Sequence, residues 1–342
     1  LYLLLLFLGS GAPLVAQDGF LFPEGTNKDK VKFELVNNLV IIPVELNGTQ
    51  LSFLLDTGVH TTVVFSIAEN DSLSLHNAIP TRIRGLGAGG SIEALESKNN
   101  TLRVGKAIDT AHSLYVVFDE SLNFSSRMGV PVHGILGYDF YKNFVVKTDY
   151  ISKKLTVYDP QGFKRKPWEK HEVFNLEFYA NKPFVEVKIS EENGFRNMSL
   201  LIDSGSSDAL WLFEEQDYIS ESPKNYFNDF LGLGLSGNIF GKRSKIEAIA
   251  LGEYSLKNVS TSFPDEEALQ HIMFFKNRKG SLGGAVLKRF TVFMDYKNRK
   301  MYLKRNANFS KPFYYNMAGI TLEHDGTVTV KDVQDYRTGS LN

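Results

Sequence analysis

Hydrophobic and polar residues alternate along much of the chain in short segments that end in turn residues, which predicts β-strands. Two apolar segments carry a proline and lead to an Asn-Gly pair: residues 40–46 lead to Asn47-Gly48, and residues 183–189 lead to Asn193-Gly194. Asn-Gly is typical of a tight hairpin, because a type I′ turn requires positive φ at both central positions. The returning strand then reaches an aspartate, Asp56 or Asp203. Each half of the chain is thus predicted to contain a hairpin that ends on a carboxylate.

The similarity of the two halves extends well beyond these hairpins, with residues 30–160 matching residues 175–305. A glycine-rich segment begins 29 residues after each aspartate. An apolar-apolar-glycine segment follows, whose glycine lies 81 residues after Asp56 and 80 residues after Asp203. Because chance does not hold register over this distance, the repeat predicts two homologous lobes, over residues 27–160 and 168–305.

Composition narrows the fold class and the partners. The 26 phenylalanines, 15 tyrosines and abundant strand patterns predict an all-β protein. A net charge of -1 gives no basic excess for nucleic acid, so we expect no nucleic-acid partner. The absence of cysteine excludes thiol catalysis and thiolate metal sites, and the seven histidines show no metal-ligand spacing. We therefore predict no metal and no cofactor.

The two ends of the chain differ from the repeat. Residues 1–17 are mostly apolar and then small, which is typical of the core and cleavage region of a secretory signal and too short for a membrane span. We interpret them as a signal-peptide remnant and expect export, to the periplasm or the cell exterior, with no integral membrane span in the mature chain. The lack of cysteine favours a bacterial source. Residues 306–342 form a tail with a turn at Asp325-Gly326 and a short alternating strand after it.

The candidate chemistry lies in two triplets, Asp56-Thr57-Gly58 and Asp203-Ser204-Gly205. Two carboxylates a few ångströms apart cannot both ionise, so the pair shares a proton and can activate a water molecule. The hydroxyls of Thr57 and Ser204 can hydrogen-bond across the pair. Glycine after each hydroxyl residue allows a sharp turn and a close approach of the two lobes.

The repeated order of apolar-apolar-Asp-Thr/Ser-Gly, glycine-rich segment and apolar-apolar-Gly resembles the aspartic peptidases, and is most similar to the retropepsin-like bacterial members. Residues 135–140, Ile-Leu-Gly-Tyr-Asp-Phe, carry this resemblance most specifically. The resemblance implies two pepsin- or retropepsin-like β-barrel lobes related by a pseudo-two-fold axis, with the active site in the cleft between them. It implies an endopeptidase that cleaves peptides or proteins, with a monomeric catalytic unit. Asp56 and Asp203 would be the catalytic dyad.

The resemblance also assigns supporting roles. The residues that would support the dyad are Thr57, Gly58, Ser204 and Gly205. The residues that would pack behind it are Ile135, Leu136, Gly137, Leu282 and Gly283. The residues of two flaps over the substrate would be Gly85, Leu86, Gly87, Gly89 and Gly90 in the first half, and Gly232, Leu233, Gly234 and Gly237 in the second. In exported bacterial proteins of this kind a PDZ-like domain often follows, so the tail is interpreted as the start of a truncated one, with an ordinary extension on the second lobe as the alternative.

The same motifs allow other functional interpretations. The protein could be a catalytically inactive peptide binder on the same scaffold, since fold alone does not prove activity. Both glycine-rich segments also match a dinucleotide fingerprint, but no strand–turn–helix pattern surrounds them. A serine hydrolase is disfavoured, because no nucleophile-elbow motif surrounds Ser204 or Ser206. Asp139, Asp149 and Asp295 are expected to be structural carboxylates at strand ends and turns.

Overall fold

The computed structural model describes residues 19–65, 74–119, 122–164, 170–191, 194–213, 225–269, 278–315 and 320–333. The protein is all-β with a few short helices, which confirms the predicted fold class. The proposed signal remnant at residues 1–17 lies outside the described residues. No helix in the described ranges is long and apolar enough to cross a bilayer.

The strands are numbered in chain order. The first half contains β1 Lys28–Lys32, β2 Glu34–Val36, β3 Leu39–Leu46, β4 Thr49–Leu55, β5 Thr62–Val64, β6 Ile79–Ile83, β7 Ile92–Val104, β8 Ala107–Val116, β9 Gly134–Leu136, β10 Val145–Asp149 and β11 Lys154–Tyr158. The second half contains β12 Glu172–Asn175, β13 Glu177–Tyr179, β14 Lys182–Glu191, β15 Gly194–Asp203, β16 Leu210–Leu212, β17 Phe227–Gly234, β18 Gly237–Leu251, β19 Tyr254–Pro264, β20 Gly280–Gly283, β21 Phe290–Asp295 and β22 Lys300–Arg305. The tail contains β23 Ile320–Asp325 and β24 Thr327–Val333. The helices are α1 Phe124–Met128, α2 Tyr138–Tyr141, α3 Glu266–Leu269 and α4 Gly284–Leu287.

Two eight-stranded sheets have the same strand order. The first sheet runs β2-β3-β4-β9-β5-β8-β7-β6, and the second sheet runs β13-β14-β15-β20-β16-β19-β18-β17. In each, the strand leading to the aspartate pairs in parallel with the strand of the apolar-apolar-glycine segment, β4 with β9 and β15 with β20. The repeat seen in the sequence therefore corresponds to two sheets built on one plan.

A third sheet joins strands from both halves in the order β1-β11-β10-β21-β22-β12. The strands β10 and β21 are antiparallel neighbours at its centre, with Val145 opposite Asp295. We call this the shared sheet. The sequence repeat gives no indication of it, because each half supplies a hairpin that the pattern assigns to its own lobe.

The first predicted turn has the expected backbone. Asn47 has φ 48° and Gly48 has φ 88°, and the two residues join β3 to β4. The positive φ values explain why Asn and Gly occur there. The second turn is only partly described, because Asn193 lies outside the described ranges while Gly194 has φ 128°.

The tail forms a two-stranded hairpin, β23 with β24, around the turn at Asp325-Gly326. The hairpin lies against α1 of the first half, where the Ser126 hydroxyl donates to Oε1 of Glu323 at 3.0 Å. The assignment of this tail to a PDZ-like domain stays a prediction.

One continuous hydrophobic core runs through the shared sheet and into both eight-stranded sheets. Phe290 in β21 is fully buried in this core, and its ring lies 5.3 Å from that of Tyr254 and 5.5 Å from that of Phe309, measured between ring centroids. A side chain so placed stabilises the contact between the second sheet and the shared sheet.

We expect Phe290→Ala to lower the free energy of unfolding by about 3–5 kcal/mol, because it removes buried apolar surface and leaves a cavity. Urea denaturation followed by circular dichroism measures this. Phe195→Ala is the matched control, since Phe195 is 57% exposed in the β14–β15 hairpin. Equal losses in the two variants would contradict the prediction.

Candidate active site

The two aspartates stand at equivalent strand ends. Asp56 follows β4 directly, and its N–H donates to the carbonyl of Leu136 in β9 at 2.9 Å. Asp203 is the last residue of β15 and lies opposite Gly283 of β20. Parallel pairing with a short apolar strand therefore fixes the backbone of both residues.

The fold brings the two carboxyl groups to the same point. A Cβ atom built on Gly58 would lie 3.1 Å from Oδ1 of Asp56 and 3.2 Å from Oδ1 of Asp203. A Cβ atom on Gly205 would overlap the carboxyl group of Asp56. The glycine of each triplet thus leaves the space that the other loop's carboxylate occupies. Any side chain at Gly205 would push the pair apart.

Four hydrogen bonds cross between the two triplets. The N–H of Thr57 donates to Oγ of Ser204, and the N–H of Ser204 donates to Oγ1 of Thr57, both at 3.0 Å. The Thr57 hydroxyl donates to the carbonyl of Ile202 at 2.5 Å, and the Ser204 hydroxyl donates to that of Leu55 at 2.8 Å. All four bonds are buried, so they hold the two loops in one geometry. We call them the crossed bonds.

The predicted backing residues lie behind the aspartates. Ile135, Leu136 and Leu282 are buried. A Cβ atom on Gly137 would overlap the carbonyl of Val59, and one on Gly283 would overlap that of Asp208. Both glycines are therefore required by close contact with the turn that follows each aspartate.

Burial dominates the electrostatics of the pair. Burial and, after it, the neighbouring charge of Asp203 together raise the pKa of Asp56 to about 7. Burial likewise raises the pKa of Asp203, while the positive charge of Arg278 opposes that increase. The pair is therefore expected to hold a proton at pH values where an ordinary aspartate is fully ionised.

Two basic side chains face the pair. Nη2 of Arg278 lies 3.8 Å from Oδ2 of Asp203 and donates to the Ser281 hydroxyl at 2.9 Å. Lys182, the first residue of β14, lowers the pKa of both aspartates by its charge. Both cations stabilise an ionised carboxylate at the pair.

Three buried tyrosines lie beneath the aspartates. The rings of Tyr141 and Tyr296 are stacked with centroids 5.1 Å apart, and Tyr150 is buried in the same core. Burial raises the pKa of all three phenols above the usual value of about 10. They therefore remain neutral and add no charge below the carboxyl pair.

The two glycine-rich segments are the tips of hairpins β6–β7 and β17–β18, and the tips meet. Ser236 makes three bonds to the first tip. Its N–H donates to the carbonyl of Leu86 at 2.8 Å, its carbonyl accepts from the N–H of Gly89 at 2.7 Å, and its hydroxyl accepts from the N–H of Gly85 at 3.0 Å. Both segments join strand to strand, so neither has the helix that a dinucleotide site requires.

The hairpin tips also exchange side chains. Leu233 and Leu235 of the second tip pack against the apolar cluster of the first sheet, while Leu86 packs against that of the second sheet. Cβ atoms on Gly87 and Gly234 would overlap the opposite backbone, and Gly232 and Gly237 have positive φ. A Cβ on Gly89 would also overlap Ser236, whereas Gly90 has open space around it.

The other singled-out carboxylates lie away from the pair. Asp139 is in an ion pair with Lys142 at 3.2 Å, and the carboxylates of Asp149 and Asp295 accept hydrogen bonds from their own turns. A buried Thr62–His112–Asp109 chain, with contacts of 2.7 and 2.8 Å, resembles a hydrolase triad only in composition. The Thr62 side chain is fully buried, so no substrate reaches it.

Arg278, Lys182, Ser236 and the tyrosines were not identified as site residues from the sequence. The internal repeat contained a signal for two of them. The residues that match Lys182 and Arg278 in the first half are Leu39 and Val132, so the repeat shows the loss of symmetry but not its place next to the aspartates. Nothing in the sequence indicated that Ser236 would contact the opposite hairpin tip.

Comparison with known proteins adds one match. Residues 42–140 match the family model described as aspartyl protease. The matched segment begins in β3 and ends in α2, and it includes the first triplet and the first glycine-rich hairpin. The resemblance to aspartic peptidases is therefore confirmed. No curated protein matches the chain.

The raised pKa of Asp56 has a consequence for stability. An unfolded aspartate ionises near pH 3.8, whereas the folded Asp56 holds its proton up to about pH 7. Its contribution to stability is therefore greatest below the unfolded pKa and falls as pH rises through the folded value. We expect the free energy of unfolding of Asp56→Asn, relative to that of the wild type, to rise by roughly 1–4 kcal/mol between pH 3.8 and about pH 7.

Urea denaturation at half-unit steps from pH 4 to pH 8 measures this difference. Asp159→Asn is the control, because Asp159 is a half-buried turn residue whose Oδ1 accepts from the N–H of Gln161, a bond that the oxygen of asparagine can also accept. A stability difference between wild type and Asp56→Asn that does not change with pH would show that the Asp56 pKa is not raised.

Proposed function

We propose that this protein is an aspartic endopeptidase in which Asp56 and Asp203 share one proton and activate a water molecule. The observation that carries the proposal is the meeting of the two carboxyl groups at one point, held by the crossed bonds. The aspartyl protease match over residues 42–140 supports the reaction class.

The geometry supports a mechanism by general acid–base catalysis. The ionised carboxylate takes a proton from water, which attacks the peptide carbonyl, and the protonated carboxyl donates to the carbonyl oxygen. This stabilises the negative charge that develops in the tetrahedral intermediate. Two aspartates that share one proton titrate at different pH values, and the aspartic dyad is an established example of this effect.

The surroundings favour one assignment of roles. Arg278 lies beside Asp203, and its charge favours the ionised form of that carboxylate. Asp56 has its pKa raised both by burial and by the charge of Asp203. We therefore assign the general base to Asp203 and the general acid to Asp56 in the resting enzyme, with the proton belonging to the coupled pair.

The joined hairpin tips support a role as flaps. The two tips are joined through Ser236. We propose that they cover the cleft over the pair and that a peptide separates them to enter. Hairpin edges also offer backbone groups that can bond an extended peptide as an added strand.

The proposal includes export and a catalytic unit that is complete in one chain. The apolar residues 1–8 followed by small residues support a secretory signal, and the bacterial periplasm or exterior suits a protein without cysteine. Both aspartates lie in a single chain, which supports a monomeric catalytic unit. A PDZ-like domain that begins in the tail remains part of this proposal and would recruit peptide C-termini.

We expect Asp56→Asn and Asp203→Asn each to reduce peptide cleavage by roughly 10²–10⁴-fold, since each removes one partner of the acid–base pair. Cleavage of a mixed peptide library by the wild type, read by mass spectrometry from pH 3 to 8, is the measurement. The wild-type rate should form a bell and fall as pH rises through about 7, where Asp56 loses its proton. Asp159→Asn is the control and should cleave as the wild type does.

Absence of cleavage by folded wild type at every pH would reject the peptidase and favour the inactive peptide binder. Cleavage retained in either aspartate variant would reject the dyad. Circular dichroism of each variant establishes that lost activity does not come from unfolding.

The flap role predicts a separate effect. Gly234→Ala places a methyl group against the carbonyl of Leu86 and should weaken the junction of the hairpin tips. We expect KM to change more than kcat, because the carboxyl pair itself is untouched. Gly162→Ala is the control, since a Cβ there would have ordinary contacts and the backbone is not in the left-handed region. Identical KM and kcat in Gly234→Ala and the wild type would contradict the role of the tips.

A further inference from the structure

The two eight-stranded sheets differ at two positions next to the aspartates. In the first sheet Val36 pairs with Leu39 across the turn between β2 and β3, and in the second Tyr179 pairs with Lys182 across the turn between β13 and β14. Leu39 and Lys182 therefore occupy matching positions. One is apolar and the other is a cation.

A second pair of matching positions shows the same difference. Phe65 donates its N–H to the carbonyl of His133, and Phe213 donates its N–H to that of Lys279. The residue just before His133 is Val132, and the residue just before Lys279 is Arg278. A valine in the first half thus becomes an arginine in the second.

In each half, the residues at the two matching positions lie in one neighbourhood. Leu39, Val132 and Phe65 belong to one apolar cluster of the first sheet. On the second side the guanidinium of Arg278 lies 5.4 Å from the centre of the Phe213 ring and 3.8 Å from Asp203. The charges of Lys182 and Arg278 act on each other, so the two cations share one neighbourhood. The second side of the cleft is therefore cationic where the first is apolar.

The negative charge near Lys182 and Arg278 is smaller than the positive charge of the two side chains. The charged groups that stabilise both of them are Asp56 and Asp203, within the part of the chain that is described. With one shared proton, these carboxylates supply a single negative charge against two positive ones. Nε of Arg278 is buried and has no hydrogen-bond partner among the described residues, although an unpaired buried donor is costly. The two cations thus outnumber the negative charge that the aspartate pair supplies.

The turn that carries Lys182 is held in place by the first half. Nδ2 of Asn181 lies 3.2 Å from Nδ1 of His60, four residues after Asp56. In the matching turn, Nδ2 of Asn38 donates to the carbonyl of Ser207, four residues after Asp203, at 2.7 Å. Lys182 is thus fixed beside the aspartates by a contact between the two halves.

We propose that Arg278 and Lys182 form a subsite beside the aspartates that binds a carboxylate of the peptide substrate. The aliphatic part of the substrate side chain would pack on Phe213, and the carboxylate would receive charge-assisted hydrogen bonds from the two cations. The first side of the cleft would take an apolar residue. This inference rests on the proposed function, since it names the class of peptide that the same site prefers. The carboxylate could belong to an internal Asp or Glu or to the peptide C-terminus.

The test measures binding on Asp56→Asn, which keeps the single negative charge of the pair and is not expected to cleave. Fluorescence anisotropy compares the binding of three labelled peptides that differ only at one position and at the C-terminus. The first has Glu at that position and an amidated C-terminus, the second has Gln and a free C-terminus, and the third has Gln and an amidated C-terminus. We expect one of the first two to bind roughly 10- to 100-fold more tightly than the third. The identity of the tighter peptide distinguishes a side-chain carboxylate from a terminal one.

Variants that copy the first half then locate the effect. Lys182→Leu and Arg278→Val, each made in the Asp56→Asn background, introduce the residues found at the matching positions of the first half. Each should bring the ratio of affinities for the carboxylate peptide and the third peptide close to one. Arg278 is buried, so Arg278→Val risks not folding. Lys182 is partly exposed, so Lys182→Leu tests the subsite in that case. Lys188→Leu is the matched control, as the same change on an exposed residue of β14, and should keep the preference.

Equal binding of the three peptides would overturn the subsite. The cation variants are also made in the chain that keeps Asp56, where the pH profile of cleavage is measured. The subsite would be overturned if this profile shifted while the peptide preference in binding stayed unchanged, since the cations would then act on the aspartates alone. A preference in binding without any cleavage by the wild type would support the subsite and reject the peptidase. The two proposals therefore fail separately.

Discussion

The crossed bonds between Thr57 and Ser204 are the constraint on which the site depends. Each residue uses its backbone N–H and its hydroxyl to bond the opposite loop, so neither loop can move without breaking buried hydrogen bonds. This rigidity is what allows two carboxyl groups to stay close although their charges repel. A looser connection would let the carboxylates separate and ionise independently.

Two opposing electrostatic effects act on the pair so held. Burial favours the neutral form of Asp56 and Asp203, while Arg278 and Lys182 favour the ionised form. The cations act unequally, because the guanidinium lies beside Asp203. The inequality breaks the symmetry of two nearly identical loops and supports different roles for the two aspartates. The same cations leave a local excess of positive charge, which supports the proposed preference for a carboxylate.

Contacts between the halves on both sides of the pair complete the arrangement. Below it, β10 and β21 pair at the centre of the shared sheet and the stacked rings of Tyr141 and Tyr296 fill the core. In the proposed flaps, Ser236 joins the two hairpin tips. The lower contact is a continuous hydrophobic core, whereas the contact of the hairpin tips consists of a few hydrogen bonds and exchanged leucines. The contact of the hairpin tips is therefore the weaker of the two, which supports the proposed opening of the tips to a peptide.

The sequence by itself determined the all-β class, the first hairpin turn, the repeat and the two triplets with their supporting glycines, because these depend on strand patterns, positive φ values and residue spacing. It also identified the resemblance that the match over residues 42–140 confirms. It could not predict the shared sheet, the contact of Ser236 or the placement of Arg278 beside Asp203, 75 residues earlier in the chain. Those features arise when segments distant in the sequence pack together, and no local pattern encodes which distant partner a strand, a hairpin tip or a buried charge will meet. Only the tertiary structure decided that the surroundings of the aspartates are cationic on the side of the second half.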